Sequence, residues 1–470
     1  MIFSSLFFMF VFLPLMLLVY FVVPWKIKNL VILMFSLVFY AWGEPVYVIL
    51  MIFSILINYV TGLELEQYRR KNKRHKRRMT LIFNIVVNLG ILGFFKYYGF
   101  FVENLNAVLP FDIPYKELAL PVGISFYTFQ TLSYILDLYW ERVEVQTNLV
   151  NFAVYVTMFP QLIAGPIVRY ADVAKQLAKR TISLVKCGEG CAWFLRGLAK
   201  KVLFANNIGM LYDTIAALPA NETPMVTAWL GAIAYTFQIY FDFGGYSDMA
   251  IGLGKMLGFD FVKNFDYPYI SRSVTEFWRR WHISLGTWFR EYVYIPLGGN
   301  RVGTVKHIRN IMVVWLLTGF WHGAAWNFML WGIYYGALLL LEKYFLKDLL
   351  ARLPGFVQNM YAMILVIIGW VFFFSPTVGS AFGYIGRMFG IGAAGFINGT
   401  TLYYLKNYGI WIILMIFFSA PFAYNKYKEK VFGKGGWRLM GSVAAYVVLF
   451  IVVIAFLVNA TYNPFLYFRF

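Results

Sequence analysis

Apolar residues fall in long blocks separated by short polar stretches, and those blocks set the predicted elements. They occupy 4–23, 29–43, 46–61, 80–101, 119–138, 149–166, 227–256, 311–341, 360–376, 403–423 and 439–458. A helix of roughly 20 such residues matches the hydrocarbon core of a bilayer. The pattern predicts an all-α, polytopic membrane protein with about eleven transmembrane helices. Uneven lengths and steps such as Ala164-Gly165-Pro166 predict re-entrant or interfacial pieces around an interior pathway, because irregular backbone survives at membrane depth only where protein or a wet cavity covers it. Gly244-Gly245 inside 227–256 predicts a break or kink. Across Thr275–Tyr292, Trp278, Trp281, Leu285, Trp288 and Tyr292 recur at three- and four-residue steps, with Arg279 and His282 on another face. That spacing predicts a helix lying in the cytoplasmic interface.

Composition agrees. The chain is 61% hydrophobic and 13% charged, with mean hydropathy +0.65, outside the range of soluble domains. The opening MIFSSLFFMFVFLPLMLLVYFVVPWK has no basic leading region and reads as a first span rather than a cleaved signal. Cys187 and Cys191 have no further Cys or nearby His, so neither a disulfide scaffold nor a metal site is expected. No repeat or linker is visible, and 1–470 is expected to be one membrane domain with its chemistry in 121–331.

The net charge of +19 changes the picture only through where it sits. The run from Arg69 to Arg78 joins two apolar blocks without interleaved base-stacking aromatics. It reads as a cytoplasmic loop rather than a nucleic-acid site. From that anchor the basic segments 169–180, 272–309, 343–352 and 425–438 fall inside. The loop 102–118 and both termini fall outside, provided 149–166 re-enters and a further crossing lies near 192–213.

Two of the four histidines carry the chemistry best. A helix from the basic Lys306/Arg309 edge places His322 roughly 18 Å inward, at a turn beside Gly323. Burial there favours the neutral imidazole, the form that accepts a proton. His282 lies in the aromatic stretch TEFWRRWHISLGTWFREY, near Arg279, Arg280 and Arg290. Asp242 and Asp248 within an apolar block read either as an ion or proton pathway or as structural ion pairs. Gln130, Gln161, Trp321 and Asn327 are candidate tunnel-lining residues. No Gly-x-Ser-x-Gly elbow surrounds His322, which disfavours a serine acyl-enzyme.

EFWRRWHISLGTWFREYVYIPLGGNR and LLTGFWHGAAWNFMLWGIYYG, with PVGISFYTFQTLSY, MFPQLIAGPIVRY, FQIYFDFGGYSDMAIGLGKMLGF and NPFLYFRF, resemble the membrane-bound O-acyltransferase family. Within it they are most similar to the bacterial branch that acetylates exported polysaccharides. Gly286 and Glu291 stand where that branch favours Ser and Asp. The resemblance implies that His322 is the essential intramembrane histidine and that His282 matches a second, cytoplasm-side one. It also implies a tunnel, acetyl-CoA as donor substrate with no resident cofactor, and transfer to an exported polysaccharide through an extracytoplasmic partner, an SGNH-type acyltransferase or similar. Arg279, Arg280, Arg290 and Arg301 then become candidates to attract CoA phosphates. Transfer of D-alanine to teichoic acid from a carrier protein, and a proton-coupled transporter or flippase, are the alternatives. The transporter would use Asp242, Asp248 and the histidines as a relay, and no inverted repeat supports it. Tyr462 and Tyr467 in the tail read as an interfacial aromatic belt.

Overall fold

The computed structural model describes residues 1–116, 118–163, 165–422, 436–459, 462–464 and 466. Ala164, Tyr467 and most of the basic segment 425–438 lie outside them. All regular structure among the described residues is helical. Among the described residues, five helices are long and apolar enough to cross a membrane: Val48–Arg70, Arg74–Asn106, Gly355–Phe374, Gly399–Phe418 and Met440–Asn459. Of the other apolar blocks, 227–256 lies in one continuous helix of 32 residues, Met225–Met256, and the rest form shorter or interrupted helices. The chain divides into two compact units, Met1–Phe194 with Met249–Val262, and Leu195–Asp248 with Lys263–Phe470.

The first unit holds α1 (Leu13–Val22), α2 (Lys28–Ala41), α3 (Val48–Arg70), α4 (Arg74–Asn106), α5 (Ile124–Tyr139), α6 (Leu149–Thr157), α7 (Phe159–Leu162), α8 (Tyr170–Ala178) and most of α9 (Leu184–Ala199). Apolar burial cannot orient helices that face lipid on one side and protein on the other, so polar groups do it. Buried Asn58 of α3 donates to Asn88 Oδ1 of α4 (3.1 Å), and Asn84 donates to Asn58 Oδ1 (3.1 Å) and Thr61 Oγ1 (3.2 Å). Thr131 of α5 joins the ladder through Asn88 (3.3 Å). The block 149–166 is divided at Met158, whose ψ of 110° leaves the helical region. Pro160 then opens α7, where its missing N–H costs nothing. Neither piece spans a bilayer.

The second unit holds the end of α9, α10 (Asn206–Ala216), most of α11 (Met225–Met256), α12 (Val274–Arg280), α13 (Ile283–Phe289), α14 (Thr304–His322), α15 (Trp326–Leu341), α16 (Lys347–Arg352), α17 (Gly355–Phe374), α18 (Val378–Met388), α19 (Gly399–Phe418) and α20 (Gly436–Asn459). The expected break at Gly244-Gly245 is absent, and α11 runs through it as one helix. Gly245 serves close packing instead, since a Cβ there would lie 2.7 Å from the Gly197 carbonyl oxygen. The single interfacial helix expected over Thr275–Tyr292 is also corrected. It is cut between α12 and α13 by His282, whose φ of 45° is left-handed, and a π-helical turn follows at Arg290–Tyr294. Alongside, α14 and α15 form a tight hairpin. A Cβ on Gly319 would stand 2.3 Å from Phe328 O, and one on Gly332 would stand 2.3 Å from Trp315 O. Small residues let two backbones meet in this way.

Candidate active site

The hairpin and the α12/α13 break bring the two sequence-predicted histidines into one aromatic cluster. His322 ends α14, buried, with its ring 5.0 Å from Trp321, 5.1 Å from Trp331 and 5.2 Å from Phe373. His282 is buried too, 4.8 Å from Phe243 and 6.3 Å from Trp321. Trp321 is thus a ring neighbour of both imidazoles. Gly323 keeps the turn narrow, since a Cβ there would strike Phe328 at 2.2 Å.

A hydrogen-bond cradle fixes His282. Asn264 Oδ1 accepts from Ser284 N (3.3 Å) and Ser284 Oγ (2.9 Å), so that atom acts as an acceptor. His282 Nδ1, 3.1 Å from the same oxygen, therefore carries the hydrogen, and Nε2 holds the lone pair. Asn264 O also accepts from Ile283 N (2.9 Å), while Asn264 Nδ2 donates to Ser247 Oγ (3.1 Å). These bonds hold the left-handed turn in place. Burial, with no carboxylate opposing it, pushes the His282 pKa down to about 3. The imidazole is neutral at physiological pH.

The helix leading to His282 is anchored from below by Glu342. This buried carboxylate accepts from Val274 N (2.6 Å), Thr275 N (2.8 Å) and Thr275 Oγ1 (2.6 Å). A negative charge at the start of α12 satisfies its open N–H groups and opposes its dipole.

The four arginines separate into two kinds. Arg280 bonds Glu276 Oε1 (2.9 Å) and Asp266 O (3.0 Å), and Arg290 pairs with Glu291 Oε1 (2.7 Å). Arg279 and Arg301 are exposed and make no ion pair among the described residues. Those two are left with guanidinium groups open to an anion.

Asp242 and Asp248 do not converge. Lys201 Nζ lies 2.6 Å from Asp242 Oδ1, both side chains buried, and Lys200 Nζ lies 2.6 Å from Asp248 Oδ2. Both lysines sit in the π-helical segment Lys200–Ala205, which turns successive residues toward α11. The other Asp242 oxygen accepts from Leu466 N (2.8 Å), and Lys201 also bonds Pro464 O. Both carboxylates are neutralised in pairs, which removes them from a shared relay. Asn327 donates to Phe372 O (3.2 Å) and Ser375 O (2.9 Å), closing the end of α17 near Phe373. Gln130 and Gln161 belong to the first unit.

Sequence reading passed over Lys200, Lys201, Glu342 and Asn264. The two lysines were visible as charges inside the apolar GLAKKVLFANN. Asn264 sends no such signal, because its partners lie 18 and 20 residues away.

Two buried histidines thus lie within one aromatic cluster of an all-helical membrane protein. The family model for the membrane-bound O-acyltransferases matches residues 141–378. The chain is 44% identical over 398 residues to a probable alginate O-acetylase AlgI of Azotobacter vinelandii, covering 83% of this chain and 79% of that one. It is 40% identical to a protein of the same name from Pseudomonas putida, over the full length of both. It is 33% identical to the peptidoglycan O-acetyltransferase of Helicobacter pylori, covering 86% of this chain and 82% of that protein. The chain belongs to the membrane-bound O-acyltransferase family.

Proposed function

We propose that this acyltransferase moves an acetyl group from acetyl-CoA at the cytoplasmic face to an extracytoplasmic acceptor hydroxyl, from which a partner protein passes it to an exported polysaccharide or cell-wall glycan, with His322 as general base. The burial of His322 among aromatic rings, at the end of a helix beside His282, carries the reading. The names of the relatives, which act on alginate and peptidoglycan, support the acceptor class. His322 takes the hydroxyl proton as the oxygen attacks the thioester carbonyl. The C–O bond forms, the C–S bond breaks, and the proton passes on to the departing thiolate. His282 presents a lone pair at Nε2 and accepts a hydrogen bond from donor or acceptor. Arg279 and Arg301 offer charge to the CoA phosphates.

The basic loop between α3 and α4 and the basic stretch 272–309 are each assigned to the cytoplasm by their charge. The protein lies in the cell membrane, and an extracytoplasmic SGNH-type acyltransferase is the proposed partner that carries acetyl to the polymer.

The test is turnover of radiolabelled acetyl-CoA by the protein in nanodiscs, wild type against His322→Ala, with CoA binding followed in parallel. Loss of about 10²–10⁴-fold in transfer with CoA binding retained is expected. Equal turnover by the two proteins ends the general-base assignment. Failure of the wild type to bind or consume acetyl-CoA ends the donor assignment.

A further inference from the structure

Trp331 is fully buried, and its indole N–H meets no acceptor among the described residues. Its ring stands 5.1 Å from that of His322 at an interplanar angle of 82°. Tyr335 lies at 5.1 Å, Trp278 at 5.4 Å and Phe373 at 5.5 Å around it, all within the second unit. A buried donor without an acceptor is costly and calls for an account. Packing alone gives none, since an all-carbon ring would fill the same aromatic box.

A second unmatched group lies on the same face of α15. Asn327 precedes Trp331 by one helical turn. Its Nδ2 hydrogens are both spent, on Phe372 O (3.2 Å) and Ser375 O (2.9 Å). That fixes the amide and leaves Oδ1 buried as an acceptor with no donor. One strip of α15 therefore carries an acceptor near the hairpin end and a donor about 6 Å further along. From the hairpin, α15 runs toward the basic segment 343–352, assigned to the cytoplasm by its charge. The donor is thus the member on the side from which a cytoplasmic thioester comes. His322 retains 6% of its surface and Trp331 none, so a substrate approaches Trp331 past the imidazole.

We infer that the Trp331 indole N–H is the donor that stabilises the thioester carbonyl oxygen as it becomes an oxyanion beside His322. The inference rests on the acyl-transfer reading above. When the hydroxyl oxygen attacks the carbonyl carbon, the C=O electron pair moves onto oxygen and the hydroxyl proton passes to His322. A fixed donor in surroundings that exclude water is worth far more to that oxyanion than one in solvent. Indole suits the task, because its N–H donates and cannot accept. Asn327 Oδ1 supplies the complement: a buried carbonyl dipole repels the oxyanion and turns it toward the Trp331 end of the strip. On collapse the electron pair returns, the C–S bond breaks, and the proton on His322 goes to the thiolate.

Trp331→3-benzothienylalanine replaces the N–H by sulfur at nearly the same ring shape, so the variant is expected to fold with the melting temperature of the wild type. Two further readouts accompany that melt. One is kcat and KM for acetyl-CoA in nanodiscs, and the other is base-labile ester on the exported glycan in cells, which reports transfer from any thioester donor. The inference expects kcat to fall about 10²–10³-fold with KM unchanged, and the glycan ester to fall with it. Wild-type kcat in the folded isostere overturns it and leaves the N–H resting on an aromatic face. A raised KM with kcat held also overturns it, since the N–H then serves ground-state binding and not the transition state. If the wild type leaves acetyl-CoA intact, the acetyl-donor reading fails and the glycan ester decides. Loss of ester in the isostere then upholds the indole donor, and wild-type ester overturns it.

Discussion

Two groups of ionisable side chains lie buried in the second unit, and they are handled in opposite ways. In the interior of α11, Asp242 and Asp248 meet Lys201 and Lys200, each at 2.6 Å, so every charge has its counterion. Around the α12/α13 break and the end of α14, His282 and His322 meet indole, phenyl and amide groups. The first arrangement fixes charge and holds helices together. The second holds two imidazoles among aromatic rings, and burial keeps that of His282 neutral. Burial alone therefore does not mark a reactive group. What surrounds it does.

The comparison breaks first at the ion pairs. Lys201→Met leaves the Asp242 carboxylate buried without its counterion and is expected to cost about 3–5 kcal/mol of stability. Adding Asp242→Leu should recover most of that loss. Thermal denaturation of the single and double variants in nanodiscs reads it. Transfer per folded molecule should survive in the double variant. A double variant that folds as wild type and transfers nothing would move Asp242 back into the reaction path.

A smaller effect is expected from the cradle of His282. Asn264→Ala frees the imidazole to rotate and to exchange tautomers, and transfer is expected to fall about 10-fold, roughly 1.4 kcal/mol. Asn264→Asp sharpens the comparison, since it places a carboxylate against Nδ1 and makes the site resemble the ion-paired one. The imidazolium is then favoured, and the pH–rate profile should gain a limb that the wild type lacks. Superimposable profiles for wild type and Asn264→Asp would show that His282 takes no part in proton movement.

The smallest effect is in stability against pH. The folded pKa of His282 is pushed down to about 3, below the unfolded value of about 6.5. Between those values the unfolded chain binds a proton that the folded chain does not. The contribution is complete above about pH 6.5 and declines as pH falls toward 3. His282→Gln should flatten the fall in melting temperature over that window by one proton's worth. An unchanged slope would mean that the folded imidazole titrates normally.

The helical class, the membrane setting and the two histidines were legible in the sequence because each depends on local composition. Apolar blocks of span length leave little choice in lipid, and His322 announces itself by standing between apolar residues beside Gly323. Arg279, Arg280, Arg290 and Arg301 were legible only as a set. Which of them are occupied by Glu276, Asp266 and Glu291 depends on side-chain geometry. The Gly244-Gly245 expectation failed because glycine weakens a helix locally, yet here it admits a neighbouring backbone at Gly197. The continuous helix over Thr275–Tyr292 failed for a related reason. Periodicity carries no information about a left-handed residue at His282, which Asn264 stabilises from 18 residues away.

The sequence by itself determined that this chain is helical, that it belongs in a membrane, that its basic loop and apolar blocks alternate as they do, and that His282 and His322 stand in apolar, aromatic surroundings. These follow from periodicity and transfer free energy, which act residue by residue. Only the tertiary structure decided that Trp321 neighbours both imidazoles, that Asn264 sets the His282 tautomer, and that the two aspartates are neutralised by adjacent lysines. Hydrogen bonds and ion pairs act over about 3 Å, and which groups come that close is settled by packing between segments distant in the chain.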